Sequence, residues 1–545
     1  MTLTGNIVDI FKRQIYFGEV TVEGGKIKAI EALDNERPAE PYLMPGFVDA
    51  HVHIESSMLT PAHFARLAVV HGTVGTVSDP HEIGNVLGVA GVDYMLNDAA
   101  QSPFHFAFGA PSCVPATAFE TAGAAIDDQD ILTLLQKPDI YYLAEMMNYP
   151  GVIHQDAMVM EKLYHARKSG KPIDGHAPGL RGKDARDYFS HGITTDHECY
   201  QTDEAAEKLQ LGVKILIREG SAAKNFEALI PLAKEHWQQM MFCSDDKHPD
   251  ELVISHINEL VKRAIHRHGI GLFEALYMAC IHPVLHYGMP VGLLRTGDSA
   301  DFIVVKDVNN FEILQTYLRG QCVAENGKTR LPLPQSAIVN YFDTKPVAAE
   351  QLALPIPTEA KQMRVIAAKG GQLITTELLF NLVNQHTIFT PDTENDVLKV
   401  VVYNRYVQSP PAIALIHGFG LQKGAIASSV GHDSHNIIAV GTNDEDLANA
   451  INEVVKHRGG VTACLGADVA TLPLPVAGLM SNRDGYEVSE DYQKVDQMAK
   501  QMLGSTLDAP FMTLSFMALL VIPELKLSDK GLFDARKFDF TKVWL

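Results

Sequence analysis

Between about residues 44 and 290 the chain keeps one rhythm: a short apolar run closes in polar, ionisable residues, and an amphipathic helical stretch follows. The runs are LMPGFVDAHVH, TVGTVSDPHE, FHFAFGAPSC, IYYLAEMMN, PIDGHAPG, ITTDHE, KILIREGS and MMFCSDD. Short β-prone runs alternating with helical patterns predict parallel strands joined by crossover helices. Eight such units in about 245 residues match the size of a TIM (β/α)8 barrel. The first helix shows the quality of the pattern. Thr60 is placed to cap it, Pro61 suits its first turn, Phe64, Leu67, Ala68 and His71 share a face, and Gly72 ends it. A doubly wound open sheet is the alternative, but no GxGxxG turn follows an early strand. Its polar residues would also gather at one crevice, whereas here they recur at the ends of nearly all the strands.

The flanks differ in character. Residues 1–43 alternate apolar and polar side chains around turns such as Glu23-Gly24-Gly25, and a similar texture returns in DSADFIVVKD and YLRGQCVAENGK. These stretches predict a small β domain assembled from residues 1–43 and 291–340, with the barrel over 44–290 between them. Pro-rich LPLPQSA and ALPIPTEA then lead into residues 341–545, which predict a C-terminal α/β domain with one strong helix over 444–457. At 545 residues the chain is too long for one hydrophobic core, so several domains are required.

The formal net charge is −21, which repels phosphate backbones and anionic lipid and argues against nucleic-acid or membrane partners. A neutral small-molecule substrate suits it. Six scattered cysteines without a CxxC pair indicate free thiols in a reducing compartment, so a cytoplasmic protein is expected. No signal-peptide pattern is present at the N-terminus, and the longest apolar stretch, 516–522, is far too short to span a bilayer.

The chemistry lies at the strand ends. His51 and His53 close the first strand two residues apart, so both imidazoles face the same side. Glu145 ends strand four, His176 strand five, His197 strand six and Asp245 strand eight. Singly, each reads as an ordinary hydrogen-bonded histidine or a capping carboxylate. Converging on one point, such a cluster is costly unless divalent cations offset it. The spacing predicts two metal ions, one held by His51, His53 and Asp245, the other by His176 and His197, with Glu145 between them. Mixed nitrogen and oxygen donors suit Zn, Fe or Mn, and a water shared by two cations becomes a hydroxide nucleophile near neutral pH.

The first-strand segment MPGFVDAHVHIESSM resembles the signature of the amidohydrolase superfamily. SDPHEIGNVLG, SCVPAT, LAEMMNYPGVI, DGHAPGL, DHECYQ, LIREGSAAKN and CSDDKHP, with GGVTACLG, LPLPVAGLMS and VIPELKLSDKGLFD near the C-terminus, are together similar to the bacterial adenine deaminase family. The similarity runs over essentially the whole chain. It implies hydrolysis of adenine to hypoxanthine and ammonia at a binuclear Mn or Fe centre, in a homo-oligomer. It also implies that Glu145 stands where many relatives carry a carboxylated lysine.

Deamination at C6 needs a base for the attacking water, a proton for the ring nitrogen and another for departing ammonia. Asp245 is the expected proton shuttle. Glu82 is the expected donor to the ring, its pKa raised by burial, with Asp79 and His81 orienting it. An Asp79-Pro80 turn without catalytic meaning is the plainer alternative. Arg218, Glu219 and Ser112 are expected to contact substrate, Glu198 and Cys199 to lie behind the ligands, and His432, Asp433 and His435 to form a lid. A cyclic-amide hydrolase of the same superfamily is the main rival, disfavoured by Glu145 where such enzymes have lysine. A catalytically silent barrel is disfavoured by the complete ligand set, and a cytidine-deaminase type fold by the missing HxE and PCxxC pattern.

Overall fold

The computed structural model describes residues 1–382 and 387–545. Its centre is the expected barrel. Eight parallel strands, Phe47–Val52, Thr73–Ser78, His105–Ala110, Ile140–Met146, Ile173–Gly175, Thr195–Asp196, Lys214–Arg218 and Met240–Cys243, pair in chain order as a run of five and a run of three. Short backbone links join the two runs. The Thr194 N–H donates to the Ile173 carbonyl at 2.9 Å, which ties the fifth strand to the sixth. The Asp245 N–H donates to the His51 carbonyl at 2.9 Å, which fastens the eighth strand to the first. The strand interiors are buried apolar residues such as Val48, Ala50, Val77, Leu143 and Ile217, as a barrel filled by side chains requires.

The first helix runs Pro61–Ala68 and tightens into a 3-10 turn before Gly72, whose φ of 78° lies in the left-handed region glycine tolerates. The expected Thr60 cap does not form. Its hydroxyl bonds that of Ser336 at 2.8 Å, and Asp98 instead accepts from the Ala62 N–H at 2.8 Å. Tertiary packing by the segment after the small sheet has displaced the local cap.

That small sheet has eight strands. Tyr42–Pro45 pairs parallel with Thr2–Asp9 and antiparallel with Phe302–Val305, so segments from both sides of the barrel share one sheet. Tyr42–Pro45 runs almost directly into the first barrel strand and fixes where the barrel begins.

The C-terminal part is built on an eight-stranded mixed sheet, in the order 376–381, 362–367, 412–417, 398–403, 437–441, 425–428, 460–465 and 468–473. The helix expected over 444–457 is present as Asp444–His457 and is capped by Asn443, which accepts from the Asp446 N–H at 2.8 Å. Its Leu447, Ile451 and Val454 pack against Val401, Ala427 and Ala439 of the sheet. Segments around residues 373, 432–435 and 516–523 reach from this part over the open end of the barrel. Among the described residues, no helix is long and apolar enough to cross a membrane.

Candidate active site

His51 and His53 emerge from the end of the first strand with their Nε2 atoms 3.2 Å apart, both fully buried. Asp245 follows the eighth strand at a φ of 54°, rare for a residue with a side chain. That turn sets its Oδ1 3.6 Å from His51 Nε2 and 3.4 Å from His53 Nε2. Glu145 lies at the centre. Its Oε2 meets His176 Nδ1 at 2.7 Å and His197 Nε2 at 2.9 Å, and its Oε1 lies 3.4 Å from both His53 Nε2 and His81 Nδ1. All six expected ligands therefore meet on one spot.

Burial alone would push the Glu145 carboxyl up, but His176 and His197 outweigh it and hold it well below the usual range. Asp245 is driven the same way: burial would raise it, but Arg218 together with His53, His197 and His51 holds it well below the usual range. His51 is pushed well below its usual value by burial and then by the neighbouring His197 and His53, so it stays a neutral imidazole. Two facing imidazole nitrogens offer a lone pair each and leave no room for two protons between them. His51 Nδ1 and His176 Nε2 are buried without a partner. Ionised carboxylates, the neutral His51 imidazole and orphaned ring nitrogens in one dry cluster are a donor set that fits divalent cations.

Two placements in the cluster differ from expectation. His81, expected only to orient Glu82, enters the ligand cluster, held by Asp79 at 3.2 Å and facing Glu82 at 3.5 Å. Glu198, expected to lie behind the ligands, comes within 3.5 Å of His197 and 3.7 Å of His176. Nothing in the sequence distinguishes it from its neighbours, because strand six is only two residues long and its side chains splay into the barrel mouth.

Glu82 is not the raised-pKa acid expected. Its two oxygens face His432 Nδ1 and His435 Nε2, and the charges of His432, His435 and His81 together overcome burial and hold it well below the usual range. His435 Nδ1 accepts from the Gly431 N–H at 3.3 Å, so its proton sits on Nε2, against Glu82. Asp433 reaches within 3.7 Å of His81. The 432–435 segment is a buried wall of the site rather than a loose cover.

The expected substrate contacts also shift. The Arg218 guanidinium grips Glu198 with both Nη atoms and donates to Asp245 Oδ2 at 2.6 Å, while Glu198 and Arg218 line the outer cavity described below. Glu219 faces Arg263 at 2.6 Å, away from the cluster, because successive strand residues point to opposite sides. The Ser112 hydroxyl donates to the Glu145 carbonyl at 2.6 Å, and Ser112 lines neither space at the barrel mouth, so it holds a strand end. Exchanging Arg218 for lysine keeps the charge and loses the fork. Arg218→Lys is expected to lower kcat/KM by roughly 10–100-fold, the size seen when a group that orients metal ligands is changed. Unchanged steady-state kinetics would show that the fork is dispensable.

Two spaces adjoin the cluster. A gap of about 20 Å³, enough for roughly one water, is bordered by His53, Glu145, His197, Asp245, Phe516 and Leu519. Outside it lies a cavity of about 460 Å³ between barrel and C-terminal part, walled by Tyr149, Tyr200, Arg218, Leu373, Ile374 and Ile522. Glu198 and Leu373 border both. The outer cavity falls in the range of small-molecule sites.

A barrel with carboxylates and imidazoles gathered at its C-terminal face defines a metal-dependent hydrolase of the amidohydrolase class, and residues 42–323 match the Amidohydrolase family. Residues 372–539 match the family described as Adenine deaminase C-terminal domain. The chain is 53% identical over 99% of its length to an adenine deaminase of Sulfurovum sp. (strain NBC37-1), and 52% identical over 99% to one of Salinibacter ruber; these matches cover 99% and 98% of the relatives. One from Methanosarcina mazei is 49% identical, with 99% of both chains covered. The chain belongs to the adenine deaminase family, which extends beyond bacteria to archaea.

Proposed function

We propose that this protein hydrolyses adenine to hypoxanthine and ammonia, with Mn or Fe as the resident divalent metal. The observation that carries the reading is Glu145, a buried carboxylate within 3.4 Å of His53, His81, His176 and His197 at the mouth of a barrel whose relatives are adenine deaminases. His51, His53 and Asp245 would hold one cation, His176 and His197 the other, and Glu145 would lie between them. Bound there, divalent cations supply the acidity that makes water a nucleophile at neutral pH.

Asp245 keeps Oδ2 on Arg218 and turns Oδ1 toward His51 and His53. In that position Oδ1 accepts the proton of the attacking water and passes it to the departing amine. Glu82 does not hold a proton of its own. His432, which Glu82 draws up to about 9 against the effect of burial, carries one on Nδ1. The Glu82–His432 pair is therefore the source of the proton for the ring nitrogen, and Asp79 and His81 hold the pair in place. The water attacks C6, the C6–N bond breaks to release ammonia, the second water proton returns to the Glu82–His432 pair, and the ring retains the oxygen as hypoxanthine.

In this reading the chain divides into a small β domain (1–43 and 291–340), a barrel (44–290) and a C-terminal domain (341–545) that roofs the site. Six scattered cysteines without a CxxC pair favour a reducing, cytoplasmic setting. A homo-oligomer rests on the family resemblance alone. Mn- or Fe-loaded protein given adenine, adenosine and guanine in parallel tests the reading. Ammonia release with adenine at a kcat/KM well above the other two is expected; turnover of cyclic amides with none of adenine would sink it.

A further inference from the structure

Lys526 is fully buried on the strand Leu525–Ser528. Its ammonium donates to two backbone carbonyls, Leu373 at 2.7 Å and Phe516 at 2.9 Å. No carboxylate pairs with it among the described residues, and burial pushes its pKa down to about 7. A buried ammonium without a counter-charge is costly, and an apolar side chain of similar length would fill a core more cheaply. What the ammonium adds is a link between two segments distant in sequence.

Both of those segments face the active site. Leu373 borders the outer cavity and the inner gap. Phe516 borders the inner gap and stacks on the His432 ring at 4.6 Å and 21°. The surrounding bonds reinforce the link. The Thr375 hydroxyl donates to the Leu525 carbonyl at 2.8 Å, the Leu525 N–H donates to that hydroxyl at 3.2 Å, and the His432 N–H donates to the Ser515 carbonyl at 3.1 Å.

We propose that Lys526 is a positioning residue for substrate, tying Leu373, which faces the outer cavity where a planar base fits, to Phe516 beside the ligand cluster, so that the two form one rigid wall. The inference rests on adenine being the substrate, since the wall is read as the surface that the flat ring meets. The inner gap holds about one water, so a displacement of either segment by an ångström changes the space beside the cluster by a large fraction.

Hydrogen exchange tests the pin without substrate. In the wild-type protein the amides of 373–376 and 514–518 should show protection within about tenfold of one another, because one ammonium holds both segments. A larger gap overturns the proposal, whatever the stability of any variant. Lys526→Met should release both segments together by about tenfold or more, and release of only one overturns it. In kinetics, Lys526→Met should raise KM for adenine about tenfold with kcat within about threefold and metal content unchanged. Lys526→Arg, which keeps the donors, should recover most of that loss. Leu373→Ala trims the same wall, so the double variant should be little worse than the poorer single one. An unchanged KM, or fully additive effects, would rule the role out. Wild-type protein inactive on adenine would refute the proposed function instead, leaving the exchange data to judge the pin.

Discussion

Glu145→Ala is expected to lower kcat/KM for adenine by about four orders of magnitude, which at about 1.36 kcal/mol per tenfold is roughly 5 kcal/mol of transition-state stabilisation. The size follows from position. Four imidazoles lie within 3.4 Å of this one carboxylate, two of them against the same oxygen. Without it, two cations would face each other with no anion between them, and His176 and His197 would lose the group that orients them. Glu145→Gln separates charge from shape, because the amide fills the same space and still accepts through one oxygen. It should be nearly as inactive as the alanine variant, while circular dichroism stays that of wild type and elemental analysis finds under one metal per chain. More than a tenth of wild-type activity in the glutamine variant, with both metals retained, would show that Glu145 is not the shared ligand.

The ligands could be read from the sequence because a barrel strand obeys a simple rule. Side chains alternate, strands end at one face, and a polar residue closing an apolar run points into the mouth. His51-Val-His53 satisfies this rule unaided. So does Glu145, near the end of a run of buried residues, whereas Asp245 lies beyond its strand and is aimed by its positive φ. The rule gives out where the strand does. With strand six reduced to Thr195–Asp196, the directions of His197 and Glu198 are set by tertiary bonds, including Arg218 to Glu198, which links residues twenty positions apart. The same limit explains Glu219, which sits one residue beyond the strand that presents Arg218 and so faces the other way.

The Glu82 environment could not be read at all from its own neighbourhood. Asp79-Pro80-His81-Glu82 shows a carboxylate at a buried helix start, for which burial predicts a raised pKa. The opposite outcome depends on His432 and His435, which arrive from residues about 350 positions later in the chain. The polar density of the 432–435 segment between two apolar strands, with its match to the family, predicts a lid over the site. The segment proves to be buried because its polar groups are spent on Glu82 and His81 rather than on water. A polar run between two apolar strands is thus ambiguous until its partners are known.

Chelation should abolish turnover, with Mn2+ or Fe2+ restoring it and Ca2+ or Mg2+ failing to do so. The selectivity follows from the donor set. His51, His53, His176 and His197 supply ring nitrogens, which suit first-row transition ions, whereas Ca2+ and Mg2+ need cages dominated by oxygen. Stripping should be faster at pH 5 than at pH 8, since protons compete for the same nitrogens. It should also lower the melting temperature by several degrees. A ligand that binds only the folded state at a thousand times its Kd contributes about 4 kcal/mol, and emptying the cluster leaves Glu145, Asp245 and five buried histidines to accommodate one another. Protein stripped below a tenth of an equivalent of metal that still releases ammonia from adenine at more than one per cent of the native rate would refute the metal assignment. Equal recovery with Mg2+ would instead mean that the imidazoles do not face the ion.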